Sequence, residues 1–63
     1  PEARQRAEDT AAKLRAQIAK LEEQAARAEA KGDAKKAAEH RKAAETYGTW
    51  LTEAEKAVAD YSG

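Results

Sequence analysis

Two rows of residues mirror each other on either side of Gly32, and this symmetry limits the folds open to the chain. Before the glycine, apolar positions recur at alternating spacings of four and three: Ala7, Ala11, Leu14, Ile18, Leu21, Ala25 and Ala28. After it the same rhythm returns at Ala37, His40, Ala44, Tyr47, Leu51, Ala54, Val58 and Tyr61. Such spacing is the heptad pattern by which one α-helix packs along another. We call the two rows the seam.

The seam predicts an all-α fold, a two-helix antiparallel coiled-coil hairpin. We expect helix 1 over about residues 2–30, a turn at residues 31–33 and helix 2 over about residues 34–61. Gly32 suits the left-handed position that ends a helix, and Asp33 can cap the next helix. A connection this short makes the helices antiparallel neighbours. Opposite residues then have numbers that add to 65, so Leu14 faces Leu51.

Helix 2 contains a weak stretch around Gly48, where glycine, threonines and aromatic residues replace better helix formers. Thr52 and Glu55 have the spacing of a capping box, which would begin a third helix. The seam nevertheless keeps its phase from Tyr47 to Val58, which favours one continuous helix. A kink at Gly48 is an alternative, as is the pairing of two hairpins into a four-helix bundle.

The turn region resembles part of a tetratricopeptide repeat. Residues 31–39 are similar to the turn and the start of the second helix in that family, and Ala25 and Ala37 stand where the family keeps small residues. Ala34 and Arg41 stand where the family has aromatic residues. The resemblance covers about a third of the chain and implies a helix–turn–helix.

Composition restricts the chemistry open to the chain. Its 63 residues include no cysteine and one histidine, and 12 basic residues balance 12 acidic ones. His40 has no cysteine or second histidine with which to hold zinc, and its place opposite Ala25 indicates a side chain that fills space. Neighbouring carboxylates such as those of Glu22 and Glu23 lie about 100° apart around a helix. We therefore expect no enzyme activity, catalytic residue, metal, cofactor or small-molecule substrate.

The length of the chain indicates one domain at most. A lone hairpin of this size rarely has a self-sufficient core, so we expect a module of a larger protein or an oligomerising small protein. Apolar runs in the chain are too short for a membrane span or a signal peptide. These features favour a soluble, cytoplasmic protein with no membrane partner.

The two sides of the seam differ in charge. One side, which we call the charged flank, carries Glu8, Arg15, Glu22, Glu29, Arg41 and Glu55. Within it, Glu22 and Arg41 are expected to meet across the hairpin. The other side is almost free of charge and holds Trp50 opposite Gln17. We call it the Trp50 face, and it consists of Ala3, Thr10, Gln17, Gln24, Ala43, Trp50 and Ala57.

Charged residues border the Trp50 face on both edges. Helix 1 presents a basic row of Arg6, Lys13, Lys20 and Arg27, and helix 2 presents an acidic row of Glu39, Glu53 and Asp60. An uncharged centre with one aromatic anchor and a charged rim is typical of protein interfaces. We therefore predict a non-catalytic structural or adaptor module for protein–protein interaction or oligomerisation. The predicted contact residues are Trp50, Gln17, Ala43 and Ala57, and the two rows would set the orientation of the partner.

The basic row also supports a second hypothesis, a helical arm that contacts nucleic acid. Cations about 10 Å apart along a helix could follow a phosphate backbone. Balanced charge, acidic residues on the same helix and a single Trp for base stacking argue against this hypothesis. In a third interpretation, Trp50 folds over the seam and the Trp50 face binds nothing.

Overall fold

The computed structural model describes residues 2–62 and the side chains of residues 2–61, and it contains two α-helices. Helix α1 spans Glu2–Ala30 and helix α2 spans Ala34–Ser62, with 29 residues in each. A helix of that length extends about 43 Å, and the Cα extents of the pair are 47 × 14 × 11 Å. The helices therefore lie side by side and antiparallel, which confirms the predicted all-α hairpin.

A short turn reverses the chain through the backbone of Gly32. This residue has φ of +80°, a left-handed conformation that L side chains rarely adopt. Its N–H donates a hydrogen bond of 2.9 Å to the carbonyl of Glu29, and the N–H of Asp33 donates one of 2.8 Å to the carbonyl of Ala28. These two bonds form a Schellman motif, which satisfies carbonyls that the end of α1 would otherwise leave unpaired.

Asp33 also begins α2. Its carboxylate atom Oδ1 accepts a hydrogen bond of 3.0 Å from the N–H of Lys36, and its carbonyl accepts one of 3.1 Å from the N–H of Ala37. This is the N-cap arrangement that the sequence predicted. One residue thus closes α1 with its N–H and opens α2 with its side chain, so the two helices follow each other with no free linker.

Helix α2 continues through Gly48 without a break. Among residues 2–62, a positive φ occurs at Gly32 alone, so Gly48 has ordinary helical backbone. Each threonine nearby donates its hydroxyl to the carbonyl four residues earlier: Thr46 to Lys42, Thr49 to Glu45, and Thr52 to Gly48. Because the Thr52 hydroxyl bonds back into its own helix, it does not cap a third one, and the continuous helix is confirmed.

Alanine forms the core of the hairpin. The buried apolar residues of the described chain are all seam alanines: Ala11, Ala25, Ala28, Ala37 and Ala44. Larger seam residues such as Leu14, Ile18 and Leu51 are only partly buried. Small side chains fit wholly between two packed helices, whereas the larger ones extend beyond the contact, where the described residues have no third layer to cover them. Tyr61, the last residue of the predicted seam, is 58% exposed because Arg4, not an apolar residue, lies opposite it.

The hairpin buries less surface than a compact protein of its mass. Its accessible surface is 4805 Å², whereas a compact protein of 6.8 kDa exposes about 4,000 Å² and the unfolded chain about 9,900 Å². Folding therefore hides about half of the surface, against about 60% for a typical 60-residue domain. The difference from the compact case, about 850 Å², reflects the elongated shape of the hairpin, whose Cα extents are 47 × 14 × 11 Å.

One substitution made at two glycines should shift stability in opposite directions. Gly32→Ala places a side chain on a left-handed backbone and should lower the free energy of unfolding by about 1–2 kcal/mol. Gly48→Ala meets open space inside a helix and should raise it by up to about 1 kcal/mol. Urea unfolding followed by circular dichroism measures both changes. Equal signs at the two positions would contradict the described backbone.

The predicted contact between Leu14 and Leu51 can be measured by a double-mutant cycle. Because both side chains are partly buried, each change to alanine should cost about 1–3 kcal/mol. If the residues touch, the two losses should not add. Leu14→Ala combined with Leu21→Ala, two turns away on the same helix, is the control and should be additive. Additive losses in both pairs would mean that the helices have another register.

Candidate protein interface

Two salt bridges join the helices along the charged flank. Arg15 Nη2 lies 2.9 Å from Glu55 Oε2, and Arg41 Nη2 bonds to Glu29 Oε1. The residue numbers in each pair add to the same total, so one register holds along the hairpin. All four side chains are at least half exposed, and screening by water and salt makes the pairs weak. They favour this alignment of the helices and contribute little to stability.

Arg41 pairs with Glu29, whereas the heptad positions predicted a contact with Glu22. Side chains on a helix lean toward its N-terminus, and in antiparallel helices these leans point in opposite directions. A long side chain therefore contacts the other helix at a height that lies toward its own N-terminus. Two such side chains meet when their contact lies N-terminal to the Cα atoms of both residues. Arg41 leans toward the turn and meets Glu29, which leans away from the turn. Among residues 2–62, Glu22 makes no salt bridge with Arg41, so the predicted ion pair is wrong, although the two residues line the same hollow.

The hydrogen bond from the Arg41 guanidinium, and after it the positive charge, lowers the pKa of the Glu29 carboxyl. The same contact raises the pKa of Arg41. A carboxyl whose pKa is lower in the folded than in the unfolded chain stabilises the fold at pH values above its pKa in the unfolded chain. That stabilisation is lost as the pH falls through its pKa in the folded chain. Both groups are therefore charged near neutral pH, and the pair breaks only in acid.

The charged flank has a gap at Gly48. Glu22 and Gly48 have the same relative positions on the two helices as the paired residues Glu29 and Arg41. Because glycine has no side chain, Glu22 has no partner at that position. An open hollow of about 520 Å³ occupies the gap, lined by Ile18, Glu22, Arg41, Ala44, Glu45 and Gly48. A second hollow of about 310 Å³ is lined by Glu8, Ala11, Arg15, Glu55 and Val58. Neither hollow was predicted from the sequence, although a glycine among charged flank positions was a signal for the larger one.

The Trp50 face lies on the opposite side of the seam from the charged flank. Trp50 is 50% exposed, and its ring meets the ring of Tyr47 edge to face, with centroids 5.2 Å apart and planes at 73°. Ala43 and Ala57, one heptad before and after the indole, are partly buried, and Gln17 is exposed. The indole therefore rests on the seam by one side and presents its other side to solvent.

The basic row and the acidic row are exposed along their full lengths. Arg27 forms an ion pair of 2.6 Å with Glu23, one turn earlier in α1. Within residues 2–62, no salt bridge involves the other members of the two rows: Arg6, Lys13, Lys20, Glu39, Glu53 and Asp60. The hairpin itself does not neutralise these charges, because the two rows lie on its outer edges.

The described residues offer little for other kinds of site. Residues 2–62 contain no cluster of three His, Cys, Asp or Glu side chains that could hold a metal ion. His40 is partly buried on the seam, which fits a space-filling role. Neither α1 nor α2 has an apolar stretch of the length needed to cross a membrane.

A cation placed in the gap at Gly48 should complete the charged flank. Gly48→Arg can pair with Glu22, whereas Gly48→Glu sets a like charge opposite it, and both gain helix propensity over glycine. We expect the Arg variant to be more stable by about 0.5–1 kcal/mol, measured by thermal unfolding. The difference should shrink when Glu22→Gln is added to both variants. A difference that is independent of Glu22 would show that these two positions do not face each other.

Comparison with known proteins identifies no relative of this hairpin. No protein-family model matches the chain, and no characterised protein or solved structure matches it. The resemblance of residues 31–39 to a tetratricopeptide repeat implied a helix–turn–helix, which α1 and α2 form.

Proposed function

We propose that the chain is a non-catalytic structural or adaptor module whose Trp50 face binds protein or mediates oligomerisation. The observation that carries this proposal is the half-exposed indole of Trp50 in the middle of an uncharged strip. Tryptophan is enriched among the residues that dominate binding energy, and charged residues are depleted at interface centres. The charged rows on both edges supply the polar rim that such interfaces have.

The geometry around the indole also supports protein binding. The edge-to-face contact with Tyr47 restricts the indole, so less side-chain freedom is lost when a partner covers it. Ala43 and Ala57 leave low surfaces on either side of the ring, and small residues allow a helix to approach closely. The indole of Trp50 therefore protrudes between two small side chains. This shape suits a partner with a groove for one large ring.

The open core gives a second line of support. Leu14, Ile18 and Leu51 are only partly covered by the opposite helix, and the hairpin leaves about 850 Å² more exposed than a compact protein would. Burial of apolar surface contributes about 25 cal/mol per Å². A protein partner over the Trp50 face would extend the apolar core in the direction in which almost no charge borders the seam.

Nucleic-acid contact through the basic row is the weaker alternative. One of its four cations, Arg27, is already paired with Glu23. Glu22, Glu23 and Glu29 on the same helix would repel phosphates near that end of the row. Among the described aromatic side chains, the two most exposed, Trp50 and Tyr61, lie on α2 and not on the helix that carries the basic row.

Photocrosslinking tests whether the Trp50 face is a protein contact. A photoreactive phenylalanine analogue at Gln17 lies on the Trp50 face, and the same analogue at Ala16 lies on the outer surface of α1, one residue away. In cells that make the protein, we expect the probe at position 17 to give a discrete adduct and the probe at position 16 to give none. Excess unlabelled chain should compete for the adduct, and Trp50→Ala chain should compete poorly. Equal labelling from both positions, or competition that ignores Trp50, would contradict the proposal.

A further inference from the structure

We propose that the occupant of the Trp50 face is a second copy of this chain, related to the first by a two-fold axis parallel to the helices. The inference rests on the proposed function, because it names the partner of the same surface. In such a pair, α1 of one copy lies against α2 of the other, and the two turns lie at the same end. The product is a four-helix bundle with Trp50 of both copies near its centre.

The charged rows have the spacing that this arrangement requires. Within the hairpin, residues whose numbers add to about 65 lie at the same height, and a parallel two-fold axis keeps those heights in the second copy. Three cations of the basic row are then level, within about one residue, with three acids of the second copy: Arg6 with Asp60, Lys13 with Glu53, and Arg27 with Glu39. Symmetry repeats each pair, so complementary charges line both edges of the interface.

The fourth level also fits. Lys20 is level with Thr46, the one uncharged residue at the corresponding positions of α2, so it meets no like charge. Arg27 is partly engaged by Glu23 in its own helix. The pairs made by Arg6 and Lys13 are therefore the ones that most favour the arrangement, because neither cation has an ion pair among residues 2–62.

The alternative two-fold axis, which crosses the hairpin, brings like charges together. It sets α1 against α1, so the basic row faces its own copy, with Arg6 near Arg27 and Lys13 near Lys20. The acidic row faces itself in the same way. Facing rows of one sign oppose association, and only the parallel axis avoids this on both edges.

The elongated hairpin has exposed surface of the order that a dimer interface takes. The hairpin exposes about 850 Å² more than a compact chain of its mass, and an interface of standard size takes about 800 Å² from each partner. Trp50 lies within about two residues of the height of Gln17 of the second copy, so the ring meets an uncharged side chain. The largest apolar group of the Trp50 face would thus be enclosed at the middle of the interface, where anchor residues contribute most.

Sedimentation equilibrium of the purified chain at low ionic strength tests the proposal, with charge reversal as the decisive step. We expect a reversible dimer of twice the 6.8 kDa chain mass. Reversing two cations of the basic row, Arg6→Glu with Lys13→Glu, should raise the dissociation constant about tenfold or more. Adding Glu53→Lys and Asp60→Lys should restore it. With the crossing axis, the first two changes would instead tighten the dimer, because they set Glu opposite Lys20 and Arg27.

A matched control separates contact from net charge. Lys35→Glu with Lys42→Glu makes the same change in net charge on the outer surface of α2, and it should leave the dissociation constant within about twofold. Helix content measured by circular dichroism identifies any variant that has unfolded. In the dimer, emission from Trp50, which is the only tryptophan of the chain, should be blue-shifted and should move to the red on dilution.

The outcomes distinguish this inference from the proposed function. A folded monomer at every concentration, a dimer tightened by the first reversal, or a dimer indifferent to both reversals would overturn the second-copy proposal. If position 17 still crosslinks a foreign protein, the face is an interface and only its occupant was assigned wrongly. If neither a dimer nor a face-specific crosslink is found, both proposals fail.

Discussion

Close contact between two helices along five buried alanines is the constraint on which the rest of the hairpin depends. Residues 2–62 form two helices with no further layer of structure, so a leucine that extends beyond the contact is covered from one side only. Leu14, Ile18 and Leu51 therefore lie at the margins of the contact and stay partly open. The hydrophobic contribution to stability is correspondingly small. Helix propensity and the bonded turn at Gly32 and Asp33 then carry a larger share than they do in a globular domain.

The two sides of the seam use their open margins differently. On the charged flank, Arg15–Glu55 and Arg41–Glu29 align one helix with the other, so charge there acts within a single chain. On the other side the strip around Trp50 is uncharged, and the charges stand farther out, where the opposite helix of the same hairpin does not reach them. The charges on one side of the molecule therefore favour the register of its two helices. In our proposal, the other side binds the partner.

The fold could be predicted from the sequence because its determinants are local. The spacing of the seam specifies the helices, and Gly32 and Asp33 specify the turn by their own backbone and side-chain chemistry. The preserved phase from Tyr47 to Val58 correctly outweighed the poor helix propensity around Gly48. Choosing Glu29 over Glu22 as the partner of Arg41 required the three-dimensional lean of two side chains, which spacing alone does not contain. The hollows were not predicted for a similar reason, since they arise from the surface that two packed helices leave uncovered. Binding by the Trp50 face stays a prediction.

The alanine core has a thermal consequence. The heat capacity of unfolding follows the apolar area that unfolding exposes, about 12–15 cal/mol/K per residue in ordinary domains. A hairpin that hides only about half of its surface should have a smaller value and therefore a flatter curve of stability against temperature. Its small unfolding enthalpy would spread melting over a wide interval. Any molecule that covers the open side would add apolar area to the transition, so the sharpness of melting would report how completely the hairpin is enclosed.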